Sequence, residues 1–133
     1  MLAERLFIYY NFNYMKIIIK ATNLELTPAI NEYIEEKIGS LDKFLSKKFE
    51  KNSEIKIEVE IARTTKHHKS GAVYYAEANI HLPGKILRAE HFDWDIRVAI
   101  DRIRDILQQE IKKYKGTKME TLKKIAAKLR GKI

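Results

Sequence analysis

One segment limits the architecture more than any other. Ile55, Ile57, Val59 and Ile61 alternate with Lys56, Glu58 and Glu60. A period of two, apolar on one side and charged on the other, is a strand with one buried and one solvated face. Such a strand needs partners in a sheet and a second layer over its apolar side.

The flanking segments can supply the sheet. Tyr74, Ala76, Ala78, Ile80 and Leu82 alternate with Tyr75, Glu77, Asn79 and His81. Pro83-Gly84 is a turn signal, and Lys85 to Glu90 reads as a short further strand. Thr64 to Gly71 is predicted to be a polar hairpin loop, and Lys16 to Ala21 a β-branched first strand.

Two stretches have helical periodicity. After a turn at Asn23–Leu26, Thr27-Pro28 is an N-cap followed by proline at the first helical position. Ile30, Ile34, Ile38, Leu41 and Leu45 then line one face of a helix predicted to end near Phe44 or Leu45. Gly39 lies inside it, and Ser46–Ser53 reads as a Lys-rich loop. Asp93 is the expected cap of a second helix, whose stripe is Ile96, Ala99, Ile100, Ile103, Leu107, Ile111 and Tyr114. Gly116 is its expected stop. Thr117-Lys-Met-Glu120 has a capping-box pattern and opens a third, weaker helix with Leu122, Ile125, Ala126 and Leu129.

The order β-α-β-β-β-α predicts an α+β two-layer sandwich. A mostly antiparallel four-stranded sheet carries two helices on one face, and the first strand and helix join it by a right-handed crossover. Residues 1–14 show no clean period and fit a signal peptide poorly. They read as an extension, either a mobile arm or a segment upstream of a functional start at Met15. Residues 15–115 form the expected domain, and 116–133 a basic tail.

Charge is distributed unevenly. The 133 residues carry a formal +8. Met15 to Ile111 holds 16 basic and 16 acidic residues, whereas Lys112 to Ile133 holds nine basic residues and one acid, Glu120. A basic end of this kind fits an anionic partner or a solubilised helix end. The chain has no cysteine, which removes disulfides, thiol nucleophiles and Cys-based zinc sites. Its apolar runs fall short of the roughly 20 residues of a membrane-spanning helix. A cytosolic location without membrane contact is expected.

The solvated sheet face presents Lys56, Glu58, Glu60, Tyr75, Glu77, Asn79 and His81, a poor platform for stacking bases. On the second helix, a 100° step puts Arg97, Arg104, Gln108 and Lys115 on one flank. Arg102, Gln109 and Lys113 fall on the other, with Asp101, Asp105 and Lys112 along the crest. Two basic flanks a helix width apart suit phosphates on either side of a groove. Equally, Arg97/Asp101 and Arg102/Asp105 are ordinary helix-surface pairs. His67, His68, His81 and His91 match no zinc spacing, and Glu58/Glu60 reads as a solvated face rather than an acid–base pair. Ser40, Ser46, Ser53 and Ser70 sit in no nucleophile motif, and Phe92 and Trp94 are expected to staple the second helix. No enzyme, cofactor, metal or small-molecule substrate is indicated.

The run KIIIKATNLELTPAINEYIEEKIGSLDKF from Lys16, followed by LPGKILRAEHFDWDIRVAIDRIRDIL, resembles the ribosome hibernation promoting factors. That family is also described as ribosome-associated inhibitors and sigma-factor modulators. The resemblance spans Met15 to about Lys115 and rests on NLELTPAI, Lys37, the Pro83-Gly84 turn, Arg88-Ala-Glu90 and Val98-Ala-Ile-Asp101. It implies a fold like that of double-stranded-RNA-binding domains. It also implies binding to rRNA phosphates of the small ribosomal subunit, where the protein inhibits translation by occluding the mRNA and tRNA sites. The alternatives are a general structured-RNA-binding module of the same fold and a protein–protein regulator; self-association is compatible with the sequence but not implied by it.

The family's helix-two pattern of Lys-Leu-x-Arg-Gln reads Ile106-Leu-Gln-Gln-Glu110 here, so Ile106 and Gln109 replace basic residues. Glu110 falls within the apolar arc. Lys37, Lys113 and Lys115 match the family's basic positions, whereas Arg102 and Arg104 stand where the family is apolar; the expected contacts are Lys37, Arg97, Arg102, Arg104, Lys112, Lys113 and Lys115. Lys118, Lys123, Lys124, Lys128 and Arg130 of the tail form a second set. The 18 residues after Lys115 are too few for the separate dimerisation domain of the family's long form, so a short form is expected.

Overall fold

The computed structural model describes residues 5–12, 15–49, 55–64 and 73–131, with side chains described outside 5–12 and 46–49. Its strands are β1 (Arg5–Phe12), β2 (Met15–Thr22), β3 (Ile55–Arg63), β4 (Tyr74–Leu82) and β5 (Lys85–Asp93). Its helices are α1 (Pro28–Gly39), α2 (Asp42–Phe49) and α3 (Ile96–Arg130). The strands form one sheet in the order β1-β2-β3-β4-β5. β2 and β3 are parallel, joined across α1 and α2, and every other pair is antiparallel.

Alternation builds the core. Ile17, Ile19, Ile55, Ile57, Ile61, Ala76, Ala78, Ile80, Leu87 and Ala89 point into one buried layer. Ile34, Ile38, Leu41, Leu45, Ile100, Ile103, Leu107 and Ile111 cover it from the helices. α3 packs over β4 and β5 and against α1 and α2. The two-layer α+β architecture predicted from the periodicities is present.

Four boundaries differ from the sequence reading. First, Arg5–Phe12 is a strand, which raises the sheet from four strands to five. Its register runs without a bulge from Arg5↔Thr22 to Phe12↔Met15, so backbone pairing with β2 orders a segment that lacks side-chain periodicity. Second, the first helical stripe belongs to two helices. α1 ends at Gly39, where the Ser40 amide donates to the Glu36 carbonyl at 3.1 Å and the Ser40 hydroxyl donates to the Lys37 carbonyl at 2.6 Å. Leu41 and Leu45 remain buried because α2 restarts in the same layer, and it runs on to Phe49 through the start of the expected loop.

Third, α3 is capped by Asp95, whose carboxylate accepts from the Arg97 amide at 2.9 Å. Asp93 belongs to β5 and accepts from the Asp95 amide at 3.1 Å. Fourth, α3 does not stop at Gly116. It is one helix of 35 residues, about 52 Å long at 1.5 Å per residue. Thr117 is interior to it, with the Thr121 hydroxyl donating to the Thr117 carbonyl at 3.0 Å. One glycine costs a helix only about 1 kcal/mol, and the Lys, Met, Glu, Leu and Ala residues around it favour continuation. The expected hairpin loop, Thr64–Gly71, lies largely outside the described residues, as do His67, His68 and Ser70. The Thr64 amide donates to the Val73 carbonyl at 2.7 Å where β3 and β4 come together.

Two outcomes test this arrangement. A Cβ at Gly116 would meet nothing within 4 Å, so Gly116→Ala is expected to raise stability by about 0.5–1 kcal/mol in urea unfolding. A helix ending at Gly116 in a left-handed cap would lose stability instead. Leu107→Ala is expected to cost about 2–5 kcal/mol in the same assay.

Candidate nucleic-acid interface

Two aromatic side chains lie along the side where α1 and α2 meet α3, and each carries two cations. Lys37 Nζ and Arg97 Cζ lie 5.4 and 5.7 Å from the centre of the half-buried Tyr33 ring. Lys43 and Lys112 lie 5.3 and 5.8 Å from that of Phe44. A third contact lies elsewhere, toward Lys85 of β5, where Lys118 sits 5.2 Å from the ring centre of the buried Tyr114. Cations over ring faces gain electrostatic attraction while their charged ends stay accessible.

Asp101 ties the first group together. Tyr33 Oη donates to Asp101 Oδ1 at 2.5 Å, and Lys37 Nζ lies 3.8 Å from the same oxygen. Burial, followed by the hydrogen bond to Asp101 and its charge, pushes the Tyr33 hydroxyl up to about 12. Arg104 joins the helices further along: Nε donates to Ser40 Oγ at 3.4 Å and Nη1 to Asp105 at 3.1 Å.

The expected contact residues fall into three places. Lys37, Arg97, Arg104 and Lys112 gather on the α1/α2 side of α3, with Lys115 on the same flank. Arg102 and Lys113 are exposed on the opposite flank, and the structure does not bring them to the first group. Lys118, Lys123, Lys124, Lys128 and Arg130 are all exposed on the projecting part of α3. Because the helix is continuous, residues 11 apart share a face. Lys123 therefore extends the flank of Lys112, and Lys124 that of Lys113.

Tyr33, Lys43 and Phe44 are additions that the sequence reading missed. The signal was present in the i, i+4 spacing of Tyr33 and Lys37 beside the Ile34/Ile38 stripe. Among the unusual helix-two residues, Ile106 packs against the core, Gln109 is exposed and Glu110 is half-buried at the edge of the apolar arc.

The opposite sheet face is neutralised pairwise. Lys20 pairs with Glu60 at 3.4 Å, Lys56 with Glu58 at 3.8 Å, and Arg88 with Glu77 and Glu90 at 3.0 and 3.1 Å. Glu58 also meets His81, and on the other side of β5, His91 lies 3.3 Å from Asp93. Phe92 does not staple α3. It belongs to the solvated side of β5 and packs on Tyr75 with ring centres 4.7 Å apart, while Trp94 is exposed. The Tyr75 hydroxyl donates to Glu77 and Glu90 at 2.6 and 2.8 Å, and burial and these bonds raise its pKa.

Burial alone would raise the Glu77 pKa. Hydrogen bonds from Tyr75 and Asn79 and the Arg88 charge outweigh it and hold the carboxyl below its usual range. A carboxylate depressed in the folded state stabilises above its unfolded pKa, and this stability is lost as pH falls through the folded value. Acid unfolding below about pH 4 is thus expected to be shallower in Glu77→Gln, which is expected to lose about 1–3 kcal/mol at pH 7. Chemical denaturation across pH measures both.

The family model described as "Sigma 54 modulation protein / S30EA ribosomal protein" matches residues 17–119. Two curated relatives named ribosome hibernation promotion factor, from Lactococcus lactis subsp. cremoris and Staphylococcus aureus, are 32% and 33% identical over 76% and 73% of the chain. The matches cover 50% and 46% of those relatives, so the chain spans about half their length. A crystal structure of the Thermus thermophilus Protein Y N-terminal domain superposes with a TM-score of 0.55 at 32% identity. It covers 76% of this chain and 96% of that one.

Proposed function

Since this chain belongs to the sigma 54 modulation protein / S30EA ribosomal protein family, we propose that it is a ribosome-binding hibernation factor without catalytic activity. On this reading it seats α3 and the α1/α2 edge on rRNA of the small subunit, and translation stops because the mRNA and tRNA sites are occupied. The observation that carries the reading is the cation-bearing aromatic pair Tyr33 and Phe44 beside an extended basic helix. Phosphate recognition needs fixed positive charge at helix spacing, and this pair supplies it. The paired charges of the open sheet face supply no comparable excess.

The mechanism asks only for affinity and shape. Lys37 and Arg97 are held beside the Tyr33 ring, Arg104 is held at Ser40, and the remaining cations ride on α3. Counterion release from the neutralised phosphates drives association. A general structured-RNA module would share that electrostatics but would not compete with tRNA.

Cosedimentation with purified small subunits, with and without tRNA, tests the proposal. Binding displaced by tRNA is expected, and a protein that stays at the top of the gradient would refute the reading. With about six phosphate contacts, affinity is expected to fall on the order of a thousandfold between 50 and 200 mM salt. The double reversal Lys112→Glu/Lys123→Glu is expected to flatten the salt slope by about two contacts while leaving the melting curve in place, because both side chains are exposed.

A further inference from the structure

The two edges of the sheet are built differently. β5, at one edge, has the sequence KILRAEHFD, with Lys85, Arg88, Glu90 and Asp93 spread along it. Charges distributed in this way are what keep an exposed strand edge from pairing with another chain. β1, at the other edge, has the sequence RLFIYYNF. It carries one formal charge, Arg5 at its first position, contains no proline, and its register with β2 has no bulge.

Without β1 the outer strand would be β2, which has Lys16 and Lys20 along its length. β1 thus covers a strand carrying two lysines and substitutes an edge with almost no charge. It lies outside residues 17–119, where the family model matches. Among the described residues its one strand neighbour is β2, which leaves alternate backbone N–H and C=O groups of eight consecutive residues directed away from the sheet.

We propose that β1 is a self-association edge that pairs antiparallel with β1 of a second copy and joins two five-stranded sheets into one of ten. Three observations favour a second copy over another protein. A two-fold axis perpendicular to the sheet pairs residues of like parity, so each copy keeps its helices on the same side. Centred on Ile8, this register sets Arg5 opposite Asn11 of the second copy, and no two like charges oppose each other.

The third observation is where the charge sits. α3 lies over β4 and β5, away from β1. In a ten-stranded sheet the two β5 strands are nine spacings apart, about 43 Å at 4.8 Å per strand. That is several times the Debye length of about 8 Å at physiological salt, so the two basic helices do not repel across the dimer. Pairing through the arm of α3 would bring like charges together, since Lys118, Lys123, Lys124, Lys128 and Arg130 face a single acid, Glu120. Pairing through β1 also leaves the proposed RNA surface of each copy free, and it holds whether or not that surface binds a ribosome.

The absence of cysteine provides a clean test. Directly opposed residues of an antiparallel pair have Cα atoms about 4.5–5.5 Å apart, within disulfide range. Ile8→Cys or Tyr9→Cys, on the two even registers about the strand centre, is expected to form a covalent dimer under mild oxidation of the full chain. Arg88→Cys on the charged edge is expected to remain monomeric. Light scattering of the unmodified chain over a concentration series is expected to show a dimer, and Ile8→Lys to weaken it at least tenfold. A monomer at 100 μM, or no cross-link at either Ile8→Cys or Tyr9→Cys, would overturn the proposal. So would a dimer undiminished in a folded Ile8→Lys variant. If Ile8→Lys does not fold, the cysteine variants still decide the question.

Discussion

The burial of a single sheet face holds the rest of the structure in place. Ile57, Ile61, Ile80 and Leu87 are apolar because helices lie over them, and Ile34, Ile38, Ile103 and Leu107 are apolar because the sheet lies beneath. Each buried aliphatic side chain contributes about 1.5–3 kcal/mol of transfer free energy. That shared layer sets the separation of α1 from α3, and hence how close Lys37 and Arg97 come to the one ring between them. The polar surface inherits its geometry from the apolar one.

Most of this was legible in the residues. The Ile55–Ile61 alternation announces a half-buried strand, and Thr27-Pro28 announces the start of α1, where the Thr27 hydroxyl accepts from the Ile30 amide at 3.2 Å. The Pro83-Gly84 turn is equally direct, since Gly84 has φ +75 in a two-residue hairpin and a residue lacking Cβ takes that conformation at low cost. Two of the misreadings share a cause. Gly116 and Thr117–Glu120 carry local stop-and-start signals that the propensity of their neighbours overrides. Arg5–Phe12 is ordered by hydrogen bonds to β2, which leave no periodic trace in side chains. Local code predicts poorly wherever backbone pairing or helix propagation decides the outcome.

The site was partly legible for a related reason. The helical wheel sorts Arg97 and Arg104 from Arg102 and Lys113, and the structure retains that division. What the wheel cannot give is the partner element. Tyr33 and Phe44 reach α3 from α1 and α2 across a long sequence separation, and only the packed layer shows that they sit beneath Lys37, Arg97 and Lys112. Both aromatic rings are half-buried at the rim of the core and touch cations on their outer side.

The unbroken course of α3 through Gly116 makes angle as well as charge a property of the arm. In a flexible tail the order of Lys123, Lys124 and Arg130 would hardly matter, since each cation could swing to any phosphate. On a rigid helix each added residue turns everything beyond it by 100° and advances it by about 1.5 Å. Inserting one alanine after Lys115 would leave the net charge intact yet send Lys123 out of line with Lys112. Inserting eleven would restore the alignment about 16 Å further along. On the proposed reading, binding would therefore be periodic in linker length rather than monotonic, as expected of a strut keyed to the domain that carries it.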